Sequence, residues 1–117
     1  MKLKNRIAWW IPKCASSECP SDEVTVTLIR TTKSNAYGED FIIYDSYGVV
    51  FRQLDVSSDQ QYTWSVTLCK GRYTIQMMDN DYYVGWSSGS NLVIKKGSSK
   101  VGTFSCSGKS KTSYFTV

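Results

Sequence analysis

Short runs in which apolar and polar residues alternate recur along the chain, and their period of two is that of strands lying on a core. In Glu23–Thr31, Val24, Val26 and Leu28 share one face, with Thr25, Thr27 and Ile29 on the other. The cleanest run sets Tyr62, Trp64, Val66 and Leu68 against Thr63, Ser65 and Thr67. Another sets Tyr73, Ile75 and Met77 against Thr74, Gln76 and Met78, and Asp79 ends it. Further extended stretches are expected at Glu39–Tyr44, Val49–Leu54, Ser90–Lys95, Lys100–Cys106 and Thr112–Val117. The punctuation between them is turn chemistry: Asp45-Ser46-Tyr47-Gly48 carries Asp first and Gly fourth, as a type I turn prefers, and Lys70-Gly71 is a tight reversal. About eight strands and no helix follow. Two packed antiparallel sheets, a small β-sandwich with Greek-key or jelly-roll connections, are the natural way to bury such faces. The expected core is Val26, Leu28, Ile42, Tyr44, Val50, Trp64, Val66, Leu68, Tyr73, Ile75, Met77, Leu92, Ile94, Val101, Phe104 and Phe115.

Residues 1–22 break this pattern. Lys2, Lys4 and Arg6 precede an apolar run from Ile7 to Ile11, which Pro12 and Lys13 end. That run is too short for the apolar core of a signal peptide and far too short for a membrane span. The stretch reads as an extended arm ahead of a sandwich domain at 23–117. Its adjacent Trp9 and Trp10 point to opposite sides if the arm is extended. One of them then needs a second surface: the rest of the domain, a neighbouring subunit or lipid. Lys2, Lys4, Arg6, Trp9 and Trp10 are the candidate partner contacts.

A length of 117 residues gives one domain with a modest core. The chain has no His, so the commonest general base and neutral metal ligand are missing. A carboxylate enzyme needs two facing acids, and the spacing of the ten acids picks out no such pair. A catalytic role is therefore disfavoured. The net charge of +4 is unevenly spread. Residues 1–13 and 82–117 hold only bases, while the ten acids all fall between 14 and 81. Basic ends around an acidic middle suit packing against other protein subunits, including copies of the same chain, or simply keep edge strands soluble. Nothing resembles a nucleic-acid-binding motif. Four cysteines in a small β-rich chain suggest disulfides and an oxidising compartment. Of the three pairings, Cys14–Cys19 within the arm with Cys69–Cys106 between strands is the expected one.

The stretch from Asn80 to Ser90 has the composition of a shaped loop: Asp81, Tyr82, Tyr83, Gly85, Trp86 and Gly89. Tyr82, Tyr83 and Trp86 are candidate ligand contacts, by stacking on a sugar or filling a partner's pocket; equally, Trp86 plugs the end of the sandwich. Cys69, Gly71-Arg72-Tyr73-Thr74, Asp79, Tyr82-Tyr83-Val84-Gly85-Trp86 and Gly89-Ser90 resemble, in spacing, the Cys, G-x-Y-T, Asp, Y-G-D-G-W and G-S of an extracellular β-sandwich domain of protist, algal and marine bacterial proteins. Phe41–Val50 is similar to an earlier strand of that domain, and the likeness spans roughly residues 23–117. The resemblance, taken with the arm and the charge asymmetry, points to a non-catalytic module of a larger extracellular assembly, a virus particle or surface filament, or to a carbohydrate-binding module. It departs at Val84, where the family has its acid, at Tyr83, where it has a glycine, and by one extra residue between Asp79 and Tyr82. If that loop holds calcium, one ligand is gone, leaving Asp79 and Asp81 as the oxygen donors.

Overall fold

A computed structural model describes the main chain of residues 8–10, and residues 19 and 22–117 in full. Those residues form nine antiparallel strands: β1 (Ala8–Trp10), β2 (Glu23–Thr31), β3 (Glu39–Asp45), β4 (Gly48–Gln53), β5 (Gln61–Cys69), β6 (Arg72–Asp79), β7 (Asn91–Lys96), β8 (Ser99–Phe104) and β9 (Ser110–Thr116). They make two sheets, ordered β1-β4-β3-β6-β9 and β5-β2-β7-β8. The all-β two-sheet sandwich expected from the alternation is therefore the fold. Part of the arm belongs to it: Ala8, Trp9 and Trp10 pair with Gln53, Arg52 and Phe51 along β4. Lys2, Lys4, Arg6 and Cys14 lie outside the described residues.

The core fills the space between the sheets. Val24, Val26 and Leu28 of β2 meet Tyr73, Ile75 and Met77 of β6, with Leu92, Ile94, Val66 and Leu68 around them. Phe41 and Phe51 stack 5.7 Å apart, and Trp64 tilts against both. Two expected core positions are corrected. Phe41 and Ile43, rather than Ile42 and Tyr44, face inward on β3. The segment FIIY has no alternation of its own, so its parity is set by pairing with β6, where Phe41 lies opposite Met77 and Ile43 opposite Ile75. Trp64, Val101 and Phe104 are only half-buried at the margins of the core.

Connectivity gives the sandwich two unlike ends. The hairpins β3–β4 and β7–β8 turn within a sheet, at the same end as the β5–β6 crossing. At the other end four connections cross between sheets: 32–38, 54–60, 80–90 and 105–109. Packed sheets stand about 10 Å apart, and these four crossings are longer than the two-residue turns at the base. The loops gather at this end, here termed the tip.

The cysteine pairing differs from the expected one. Cys19 is bonded to Cys69, with Cα atoms 5.2 Å apart, and Cys106 is a buried free thiol. Cys69 ends β5 at the base, whereas Cys106 follows β8 at the tip, so the length of a strand separates them. Cys19 precedes β2, whose first residue, Glu23, lies opposite Cys69.

Candidate functional site

The tip is built on polar side chains at positions that the strand period turns inward. β2 places Val24, Val26 and Leu28 in the core, and the next residue of that parity is Arg30. Glu39, Gln53 and Asp79 stand likewise at the tip ends of β3, β4 and β6, and all four are buried. A buried charge costs several kcal/mol unless it is paired and hydrogen-bonded, and here the pairing is dense. Arg30 donates from Nε to Gln53 Oε1 at 2.9 Å, from Nη1 to the carbonyls of Thr31 and Asn91, and from Nη2 to Glu39 at both its carbonyl and Oε1. Its guanidinium carbon lies over the Trp86 ring, 3.8 Å from the centroid. Burial lowers the Arg30 pKa, and the Glu39 carboxylate opposes that shift. The other oxygen of Glu39 accepts the Ser87 N–H at 2.7 Å.

Asp40 and Asp79 tie the loops down. Asp40 accepts Gln53 Nε2 and the Asp55 N–H on Oδ1, and Asn80 Nδ2 on Oδ2, so one carboxylate joins β4, the 54–60 loop and the 80–90 loop. Its burial raises the carboxyl pKa, against those hydrogen bonds. Asp79 accepts four backbone N–H groups: Asp81 and Tyr82 on Oδ1, Val84 and Gly85 on Oδ2, at 3.0 to 3.2 Å. Burial pushes its carboxyl up, but the four donors together outweigh burial and hold it below its ordinary value. The segment Asn80–Gly85 is thus wrapped around a single carboxylate.

Two glycines permit the close packing. A Cβ on Gly85, whose φ is +110°, would stand 2.7 Å from the Cys106 carbonyl oxygen, and one on Gly38 would stand 2.5 Å from the Asp81 nitrogen. Gly85 bridges to Ser107, and the Asn80 N–H reaches the Gly38 carbonyl. Ser87 Oγ donates to the Ser34 carbonyl.

This geometry separates the candidate ligand contacts. Trp86 is 8 % exposed: its ring closes the core, its Nε1 donates to the Met78 carbonyl at 3.0 Å, and one face of the ring packs on the fully buried Arg30. It is the plug of the sandwich, and its assignment as a ligand contact is corrected. Tyr82 and Tyr83 stand out of the surface at 55 % and 57 % exposure, with Val84 at 74 % beside them. Tyr37, also exposed, precedes the Gly38 that abuts Asp81. Lys109 Nζ lies 5.3 Å from the Tyr83 ring centroid. Tyr83 has φ +61°, a left-handed conformation that a bulky side chain rarely adopts. The calcium donors fare differently from each other: Asp79 has both oxygens occupied by main-chain N–H groups, while Asp81 is exposed. Among the described residues no three His, Cys, Asp or Glu side chains converge as a metal site would need.

Sequence reasoning overlooked Arg30, Glu39, Asp40 and Gln53. For Arg30 a signal was present, since extending the alternation of β2 past Leu28 turns it inward; β3 and β4 have no alternation of their own from which Glu39 and Gln53 could be read. The chain matches no family model, no curated protein and no solved structure.

Proposed function

We propose that the chain is a non-catalytic interaction module of a larger extracellular assembly, a virus particle or surface filament, and that the tip is one of its contact surfaces. The observation that carries this reading is the contrast within one loop. Its backbone is held by the buried Asp79 carboxylate, yet it displays Tyr82, Tyr83 and Val84 to solvent. Holding Tyr83 in the left-handed region costs of order 1 kcal/mol or more, and such strain gathers at binding sites. A preformed loop of exposed tyrosines binds with little ordering cost, and Tyr is favoured at the centre of protein interfaces. The buried acids are engaged by Arg30 or by main-chain N–H groups rather than turned toward a cleft, which supports a non-catalytic role. The Cys19–Cys69 bond accords with an oxidising setting outside the cell. The basic arm, with Lys2, Lys4, Arg6, Trp9 and Trp10, is the second contact in this proposal.

A photo-crosslinking amino acid at position 82, with the protein kept in its native particle or surface fraction, tests the tip. A discrete covalent adduct to a protein, lost when the crosslinker sits at Tyr114 instead, supports the reading. No adduct at 82, with equal yield at 114, overturns it. Tyr82 and Tyr83 also carry a second reading, a carbohydrate-binding module, because exposed tyrosine rings stack on sugars. Glycan-array binding abolished by Tyr82→Ser or Tyr83→Ser would establish that reading in place of the first.

A further inference from the structure

We infer that the free edge of β5 pairs with the β5 edge of a second copy, joining two four-stranded sheets into one. The inference rests on the reading of the chain as an assembly module but uses a surface away from the tip tyrosines.

An open strand edge invites another strand, and proteins usually defend it with charge, bulges, short length or cover. The sandwich defends its other edges. β4 is covered by β1, which is itself only three residues long. β8 carries Lys100 and lies beside Lys95 and Lys96, and a register shift interrupts its pairing with β7. β9 carries Lys111. Among the described residues β5 has none of these devices. It runs nine residues, Gln61–Cys69, with no charged residue, proline or glycine, and pairs with β2 without a bulge. Among the described residues no strand lies on its other side.

The groups left open follow from the ladder. The Thr32 N–H donates to the Gln60 carbonyl and the Lys70 N–H to the Asp22 carbonyl, so even-numbered residues of β5 turn their main-chain groups toward β2. The N–H and C=O of Gln61, Thr63, Ser65 and Thr67 therefore point to the free edge, whereas the Cys69 carbonyl accepts the Tyr73 hydroxyl at 2.6 Å. Antiparallel pairing about a two-fold axis at Ser65, the middle of the strand, sets Ser65 opposite Ser65 and Thr63 opposite Thr67, each pair exchanging two N–H···O=C bonds. On the inner face Trp64 then meets Val66, and the half-buried indole at the margin of the core is covered. The edge is thus self-complementary in hydrogen bonding and in the cover each copy gives the other's Trp64, as a two-fold interface must be.

Sedimentation equilibrium of the full chain with its disulfide intact, from low micromolar to about 1 mM, reads the association. A dimer is expected. Ser65→Lys sets like charges opposite each other at the axis and should weaken the dimer about tenfold or more. Because Ser65 is exposed, the melting curve of the dilute monomer should not move. In a Cys14→Ser background, Ser65→Cys places two thiols on Cα atoms about 5.5 Å apart, within disulfide reach, so mild oxidation should give a covalent dimer. Thr63→Cys should not, because it faces Thr67. A wild-type protein that stays monomeric throughout, a dimer indifferent to Ser65→Lys, or equal crosslinking at 63 and 65 overturns the proposal. Crosslinking at position 82 is scored separately, so the edge and the tip fail or stand independently.

Discussion

Replacing Asp79 by Asn tests whether one carboxylate shapes the tip. Asn keeps one oxygen and turns the other atom into a donor, which then confronts two of the four main-chain N–H groups now bonded to Asp79. A hydrogen bond to a charged group contributes about 1.5–3 kcal/mol, and a buried donor left without a partner costs about 1–3 kcal/mol. The four bonds share one acceptor group and are not independent, so a net loss of about 3 kcal/mol is expected at neutral pH. For a chain of 117 residues this lowers Tm by roughly 12 °C. The loss should depend on pH in a defined sense. The Asp79 carboxyl titrates below its ordinary value in the folded protein, so its contribution is complete above the unfolded value of about 3.9. It fades as pH falls through the folded value. Asp40 has the opposite sign, since burial raises its carboxyl and the folded state gains a proton more readily than the unfolded chain. It is present in both proteins and cancels in the difference. Urea unfolding of wild type and variant, followed by tryptophan fluorescence between pH 7 and pH 2.5, measures the gap. A gap below about 0.5 kcal/mol at neutral pH, or one unchanged at pH 2.5, would refute the assignment.

Arg30→Met should destabilise by about 3–5 kcal/mol in the same assay, because Glu39 is left as a buried charge and the Trp86 ring loses its cover. Arg30→Lys should recover only part of this, since an ammonium cannot reproduce the forked contacts to Gln53, Glu39 and Thr31. Opening the Cys19–Cys69 bond, which spans 50 residues, should cost about 4 kcal/mol, read as the shift in urea midpoint of Cys19→Ser/Cys69→Ser. Gly85→Ala should lose more than about 2 kcal/mol and red-shift the Trp86 emission, since its Cβ meets the Cys106 carbonyl and the Gly108 nitrogen while φ stays positive.

The strands were legible because period two is a local property of a half-buried sheet: Glu23–Thr31 was bounded correctly from its own alternation. Parity was lost only where alternation was, at Phe41–Tyr44, because there a neighbouring strand decides which side faces in. The loop 80–90 was recognised as the place where the chain is shaped, but the sorting of its aromatics was not. Trp86 and Tyr83 lie three residues apart in one loop, and only the crossing of 80–90 against 105–109 makes one a plug and the other a projection. The polar cluster at Arg30 was missed because hydrophobicity was followed only as far as the apolar residues ran. The cysteine pairing depended on which strand ends share an end of the sandwich, which spacing along the chain does not contain.

The Cys19–Cys69 bond has a mechanical side. It joins the arm to the base end of β5, opposite the tip. A pull applied between residue 19 and the tip therefore enters the sandwich at Cys69 and runs along the axes of β5 and β2. Their nine-residue ladder is then loaded in shear, with its hydrogen bonds strained together, rather than peeled apart one after another from an end. With the bond reduced, the same pull would reach the start of β2 by Glu23 alone. Thiol chemistry at the base would set how much tension the sandwich carries before it opens, without touching a residue of the tip.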